Sequence, residues 1–162
     1  MPSPKKSLIL DTNLLVLLVL GSVDRERIPD GKRTQEYTVS DWDNLIQFIS
    51  VFDQIVVSPY ILAETSNLAD VYTGDMKKLP FLELKNWMEK DEFVEKFIPA
   101  KTIVESRFFT QYGLTDACVI EMADDYTAIL TNDGPLANHA RAEGKEVFTI
   151  QDIRSLLNET YE

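Results

Sequence analysis

Asp11, Glu64, Asp116 and Asp133 are the residues of this 162-residue chain whose types and placement could do chemistry. Asp11 follows the apolar run Ser7–Leu10 and precedes another over 14–20, so it is the one charge in an otherwise buried segment. A charge there is costly unless it is paired or coordinated. Asp133 ends a polar tip, Thr131-Asn132-Asp133, on a second apolar run. Asp116 stands at the expected start of a helix, and Glu64 in the second turn of a helix that follows the run Gln54–Val57. Taken singly, each acid has an ordinary structural explanation: an Asx turn, a cap, a partner for a helix dipole or an exposed helical position. Taken together they point to one site. Converging carboxylates raise one another's pKa. A hard divalent cation such as Mg²⁺ or Mn²⁺, which prefers oxygen ligands, relieves that repulsion. Such a cation activates water and clamps a phosphate and its leaving oxygen.

The elements that must position these acids alternate along the chain. Short apolar runs at Ser7–Leu10, Gln54–Val57, 128–131 and 146–150 predict buried strands. Helical spacing and capping signals predict helices over 14–20, 41–52, 58–67, 81–90, 101–112, 116–125, 134–143 and 151–159. Ser40 is the expected cap of the second helix, Thr115 that of the sixth, and Ser58-Pro59 opens the third. Gly113 and Gly144 read as helix stops. The stretch 93–99 reads either way. Buried strands alternating with helices imply an α/β fold, a three-layer α/β/α sandwich around a mostly parallel sheet. Residues 1–162 read as a single domain, with a polar loop insertion at about 21–36. Sites in such folds gather beyond the carboxyl ends of the strands, where all four acids are expected.

Composition narrows the alternatives. Apolar residues make up 44% and charged residues 27%, an ordinary globular balance. The single Cys118 excludes an internal disulfide, fits a cytoplasmic location and reads as core. His139 is the sole histidine, so no Cys/His zinc set exists, and no Gly-rich phosphate loop is present. The apolar stretch after Lys5 and Lys6 is interrupted by Asp11, Thr12 and Asn13, which argues against a secretory signal, and its uninterrupted part is too short to span a bilayer. The net charge is −11, with 27 acidic against 16 basic residues. That is an awkward balance for a chain that handles nucleic acid, unless the acidity includes a metal site.

Four segments resemble the PIN-domain family: LILDTN at 8–13, SPYILAE at 58–64, GLTDA at 113–117 and LTND at 130–133. They come in the family's order and cover most of the chain. The resemblance implies a parallel α/β/α sandwich and a Mg²⁺- or Mn²⁺-dependent endoribonuclease that hydrolyses phosphodiester bonds of single-stranded RNA. It assigns metal binding to Asp11, Asp116 and Asp133, with Glu64 as ligand or supporting base, and ligand orientation to Asn13 and Thr131. Many bacterial members are toxins held by an antitoxin protein, and members often dimerise, so both partners are expectations here. The segments 21–36 and 72–100 read as additions to the shorter toxin-like members.

Phosphate contact is expected from Arg25, Arg27 and Arg33 in the insertion. His139, Arg141 and Lys145 are further cations beyond Asp133. Tyr60, Tyr72, Trp42, Trp87 and the pair Phe108-Phe109 are expected mostly in the core rather than stacked on bases. Two rival functions stand beside the nuclease. One is a PIN-like module that binds nucleic acid or protein without turnover. The other is a different magnesium phosphohydrolase, of the haloacid-dehalogenase type. That type wants a second Asp two residues after the first, where Asn13 stands.

Overall fold

The computed structural model describes residues 2–158. The chain forms five strands: β1 (Ser7–Leu10), β2 (Gln54–Val57), β3 (Phe93–Glu95), β4 (Thr127–Leu130) and β5 (Val147–Phe148). All neighbouring strands pair in parallel, in the order β3-β2-β1-β4-β5. Eight α-helices accompany them among the described residues: α1 (Thr12–Asp24), α2 (Val39–Ile49), α3 (Pro59–Leu68), α4 (Leu79–Met88), α5 (Ala100–Ile103), α6 (Phe109–Met122), α7 (Gly134–Ala142) and α8 (Ile150–Asn158). The result is the expected α/β/α sandwich with a wholly parallel sheet.

Strand β1 is central and buried at every position, with Leu8 opposite both Ile55 and Ala128. The chain moves outward from β1 to β2 and β3, then returns to the other side for β4 and β5. The direction of winding therefore reverses between β1 and β4. In open parallel sheets such a switch point forms a crevice at the carboxyl ends of its two strands, the usual ligand position.

Helix α1 explains its own composition. Thr12 and every residue from Leu14 to Gly21 are buried, as suits a helix that is apolar all round. It packs against α2, α3 and α4. Gly21 lies against the Trp42 indole, whose Nε1–H donates to Leu18 O at 3.2 Å. The Trp87 indole donates to Ser22 Oγ at 2.9 Å. Both tryptophans thus lock onto the last turns of α1.

Several boundaries differ from expectation for identifiable reasons. The expected loop insertion at 21–36 begins inside α1, which runs to Asp24, and continues as a 3₁₀ helix over Arg25–Asp30. Buried Ile28 anchors that turn, and its carbonyl accepts from buried Thr34 at 2.7 Å. Thr38 rather than Ser40 caps α2, in a reciprocal capping box with Asp41. The ambiguous stretch 93–99 contributes edge strand β3. Helix 101–112 divides, and Gly113, with φ of 81°, breaks the path inside α6 instead of ending it. Glu159, the expected last residue of the final helix, lies outside the described residues. No helix among the described residues is long and apolar enough to cross a membrane.

Arg154 of α8 clasps Asp41, donating from Nε at 2.7 Å and from Nη2 at 2.6 Å. Asp41 is 2% exposed. Burial alone would raise its carboxyl, but the hydrogen bonds from Arg154 and Thr38 and the guanidinium charge carry it below the usual carboxylate range. A carboxyl lowered in the folded state adds stability above its unfolded pKa and loses it as pH falls. Arg154→Ala leaves that carboxylate uncompensated and is expected to cost about 2–3 kcal/mol at pH 7 in urea denaturation. The deficit shrinks as the pH falls below about 4.

Candidate active site

Each acid is delivered by a different element, and three threonines organise them. Asp11 continues β1, its N–H donating to Leu130 O at 3.0 Å, and then caps α1 with Oδ1 accepting from Thr12 N at 2.8 Å. Its other oxygen accepts from Thr131 Oγ1 at 2.6 Å. The same Thr131 hydroxyl accepts from Asp133 N at 3.1 Å, so one side chain at the end of β4 fixes two of the acids. Asp133 caps α7, accepting from Leu136 N at 3.0 Å. Pro135 in the first turn of that helix has no N–H to satisfy.

Glu64 projects from α3, a helix capped by Ser58 and started by Pro59. Its carboxylate accepts from Thr12 Oγ1 at 3.2 Å and from Thr115 Oγ1 at 2.6 Å. Glu64 therefore ties α1 to α6. Thr115 does not cap α6 as expected, because its hydroxyl is spent on Glu64. The extended backbone at Gly113 lets the chain turn before Asp116, a positive-φ conformation that glycine adopts readily.

Asp11 and Asp116 are each shifted by burial and by neighbouring acids. Asp11 is 4% exposed. Burial raises its pKa, the hydrogen bonds from Thr131 and Thr12 lower it in part, and the charges of Asp133 and Glu64 raise it further. Among the described residues no hydrogen bond supports the Asp116 carboxylate in this way. Burial first, then the charges of Asp11, Asp133 and Glu64, push it up to about 7. The structure thus brings Asp11, Glu64, Asp116 and Asp133 into one electrostatic neighbourhood at the β1/β4 crevice. Among the described residues, however, no three His, Cys, Asp or Glu side chains stand at the spacing that would hold a metal ion together.

The donor set is all carboxylate oxygen, which suits Mg²⁺ or Mn²⁺ rather than a softer metal. Mg²⁺ is commonly held by one or two carboxylates and keeps several waters. Asn13 is exposed, and among the described residues no hydrogen bond joins it to an acid. Thr12, its neighbour, occupies the orienting position instead. In the sequence Thr12 stands out only as a companion of Asp11, and Thr115 only as a helix cap.

The expected phosphate contacts fare differently. Arg25 is engaged by Asp43 at 3.2 Å and Arg27 by Asp24 at 3.4 Å. Both lie past the far end of α1, whose 13 residues span roughly 20 Å from Asp11. With Lys32, Arg27 and Arg33 line a cavity of about 390 Å³ floored by Leu20 and Ile28. His139 pairs with the Tyr112 hydroxyl at 2.7 Å, Arg141 with Asp152 at 3.0 Å, and Lys145 donates to Ala123 O at 2.7 Å. Tyr60 donates to Ile98 O at 2.7 Å and Phe108 is core. Most of the aromatics considered for stacking are thus structural. In comparison with known proteins, no family model matches the chain and no curated protein does.

The crowding of charge has a measurable sign. The folded chain keeps the Asp116 proton up to about pH 7, whereas the unfolded chain releases it near the ordinary value of 3.8. The folded state therefore binds more protons in that interval, and its contribution to stability falls as pH rises through it. Asp116→Asn is expected to raise Tm by a few degrees at pH 7.5 without divalent ions, and to change it little at pH 4. Thermal melts at the two pH values check this.

Proposed function

We propose that the chain is a Mg²⁺- or Mn²⁺-dependent endoribonuclease acting on single-stranded RNA. The observation that carries the reading is the convergence of Asp11, Glu64, Asp116 and Asp133, from four separate elements, on the switch-point crevice of a parallel sheet, with Asp116 pushed up to about 7 by burial and by the other three. Carboxylates gathered at this strain suit a divalent cation. The segments resembling the PIN-domain family supply all four of these acids.

Within this reading Asp11 is the principal anchor. Its two oxygens are each fixed by one hydrogen bond, which leaves lone pairs for a cation. Asp133 is fixed in the same way as a helix cap, and Glu64 by two threonine hydroxyls. Asp116 is the least restrained and completes the set. The bound cation supplies charge neutralisation for the phosphate and activation of water. It also offsets part of the −11 net charge where RNA must approach. A role as the toxin of a toxin–antitoxin pair belongs to this proposal and rests on the resemblance alone.

One observation favours a second reading, a module that binds RNA or protein without cutting: the absence, among the described residues, of three acids at ligand spacing. Cleavage of a panel of unstructured RNAs separates the two. Wild-type protein with Mg²⁺ or Mn²⁺ is expected to cut. Asp11→Asn, prepared identically, is expected to lose more than about a hundredfold, beyond the 10–100-fold typical of removing a ligand's supporting partner. Cleavage that persists in excess EDTA overturns the metal-dependent reading, and RNA binding without cleavage establishes the second.

A further inference from the structure

Beyond α1 the chain closes a tight turn. Ile28 O accepts from Gly31 N at 3.3 Å and from Thr34 Oγ1 at 2.7 Å, and Gly31 O accepts from Thr34 N at 3.0 Å. The turn carries Lys32 and Arg33 to the rim of the cavity of about 390 Å³ that Leu20 and Ile28 floor. Val71 and Tyr72, from the chain after α3, also line it. Tyr72 packs against the cluster of Val16, Leu20 and Ala69. An apolar floor with an aromatic ring and a few polar groups is the usual make-up of a small-ligand site. The volume lies at the low end of the range for such sites, about 300–1,000 Å³.

Charge singles this cavity out. Arg25, Arg27, Arg107, Arg141 and Arg154 each pair with a carboxylate. Among the described residues Arg33 is the arginine that pairs with none, and its neighbour Lys32 pairs with none either. Two adjacent unpaired cations beside an apolar cavity suit a phosphate, which the planar guanidinium meets with two hydrogen bonds. Two carboxylates line the cavity as well. Asp24 is taken by Arg27 at 3.4 Å, whereas Asp30 makes no ion pair among the described residues. A bare anion would be repelled by Asp30. A ligand that carries hydroxyl donors beside its anionic group would use it.

We propose that this cavity binds a nucleoside 5′-monophosphate, with the phosphate on Lys32 and Arg33, the base against Tyr72 and the ribose hydroxyls donating to Asp30. The small volume suits one nucleotide rather than a dinucleotide. None of Asp11, Glu64, Asp116 and Asp133 lines the cavity. The turn that bears its cations follows the far end of α1, whose 13 residues carry it roughly 20 Å from Asp11. It is therefore a second site, independent of the chemistry assigned to the acids. A nucleotide held there bridges the turn after α1 to the chain after α3.

Calorimetric titration of the full chain with AMP, in EDTA so that no metal contributes, tests this. Wild-type protein is expected to bind AMP saturably with Kd below about 1 mM. Adenosine and inorganic phosphate are each expected to bind at least about tenfold more weakly. With AMP about a hundredfold above Kd, Tm is expected to rise by about 5–10 °C. The double variant Lys32→Ala, Arg33→Ala changes exposed side chains only. It is expected to keep its ligand-free Tm and to lose at least about tenfold in affinity. Tyr72→Leu keeps an apolar side chain and is expected to lose at least about fivefold. Asp11→Asn is expected to bind AMP as the wild type does. Absence of saturable binding, undiminished affinity in the double variant, or loss of binding in Asp11→Asn overturns the inference. So does inorganic phosphate that binds as tightly as AMP, since the cavity would then hold an anion without base or ribose.

Discussion

The hydrogen bond from Thr131 to Asp11 spans the place where the sheet changes its direction of winding. It joins the ends of the two strands, β1 and β4, that flank the switch point. Everything around the crevice is arranged about the buried carboxylate it holds. A carboxylate in that position, without donors, would be several kcal/mol out of favour. Thr131, the Thr12 amide and the N-terminus of α1 answer that cost in part. The parallel sheet makes the arrangement available, since every strand delivers its carboxyl end, and the start of the helix after it, to the same edge.

The remaining acids add repulsion, and the chain meets it with neutral hydroxyls rather than with lysine or arginine. Thr12 and Thr115 both donate to Glu64, and Thr131 donates to the Asp11 carboxylate while accepting from the Asp133 backbone N–H. A guanidinium in the same places would neutralise the acids and close the crevice to an incoming cation. The arginines are employed elsewhere, as in the clasp of Arg154 on Asp41, where a paired charge serves packing alone.

The fold class was legible because it rests on short-range patterns. Four-residue apolar runs such as Ser7–Leu10, each followed by a polar residue at a helix start, identify parallel strands and the edge at which their carboxyl ends lie. What escaped was set by tertiary contact. The break at Gly113 looked like a helix end, because a glycine stop and a glycine kink have the same sequence. Thr115 looked like a cap until Glu64, 51 residues away, claimed its hydroxyl. Thr12 was passed over for Asn13, since only the direction of the helix decides which of two adjacent side chains turns inward. The stretch 21–36 reads as a polar loop because its buried anchors beyond α1, Ile28 and Thr34, are too sparse to make a period. Arg25 and Arg27 lie at the end of α1 remote from Asp11, because a helix that begins at the carboxyl end of β1 carries its far end away from it.

Residues 11 and 131 are separated by 120 positions. Their contact closes most of the chain into a loop, and nothing local rewards that closure until β4 has docked beside β1. The arrangement of Asp11 and Asp133 is therefore complete only once β4 has docked beside β1. A nascent chain that has not yet released β4, or a fragment clipped before it, carries Asp11, Glu64 and Asp116 but lacks Asp133 and the hydroxyl that holds Asp11. Whatever chemistry needs all four carboxylates is thereby withheld from every form of the molecule that stops short of β4.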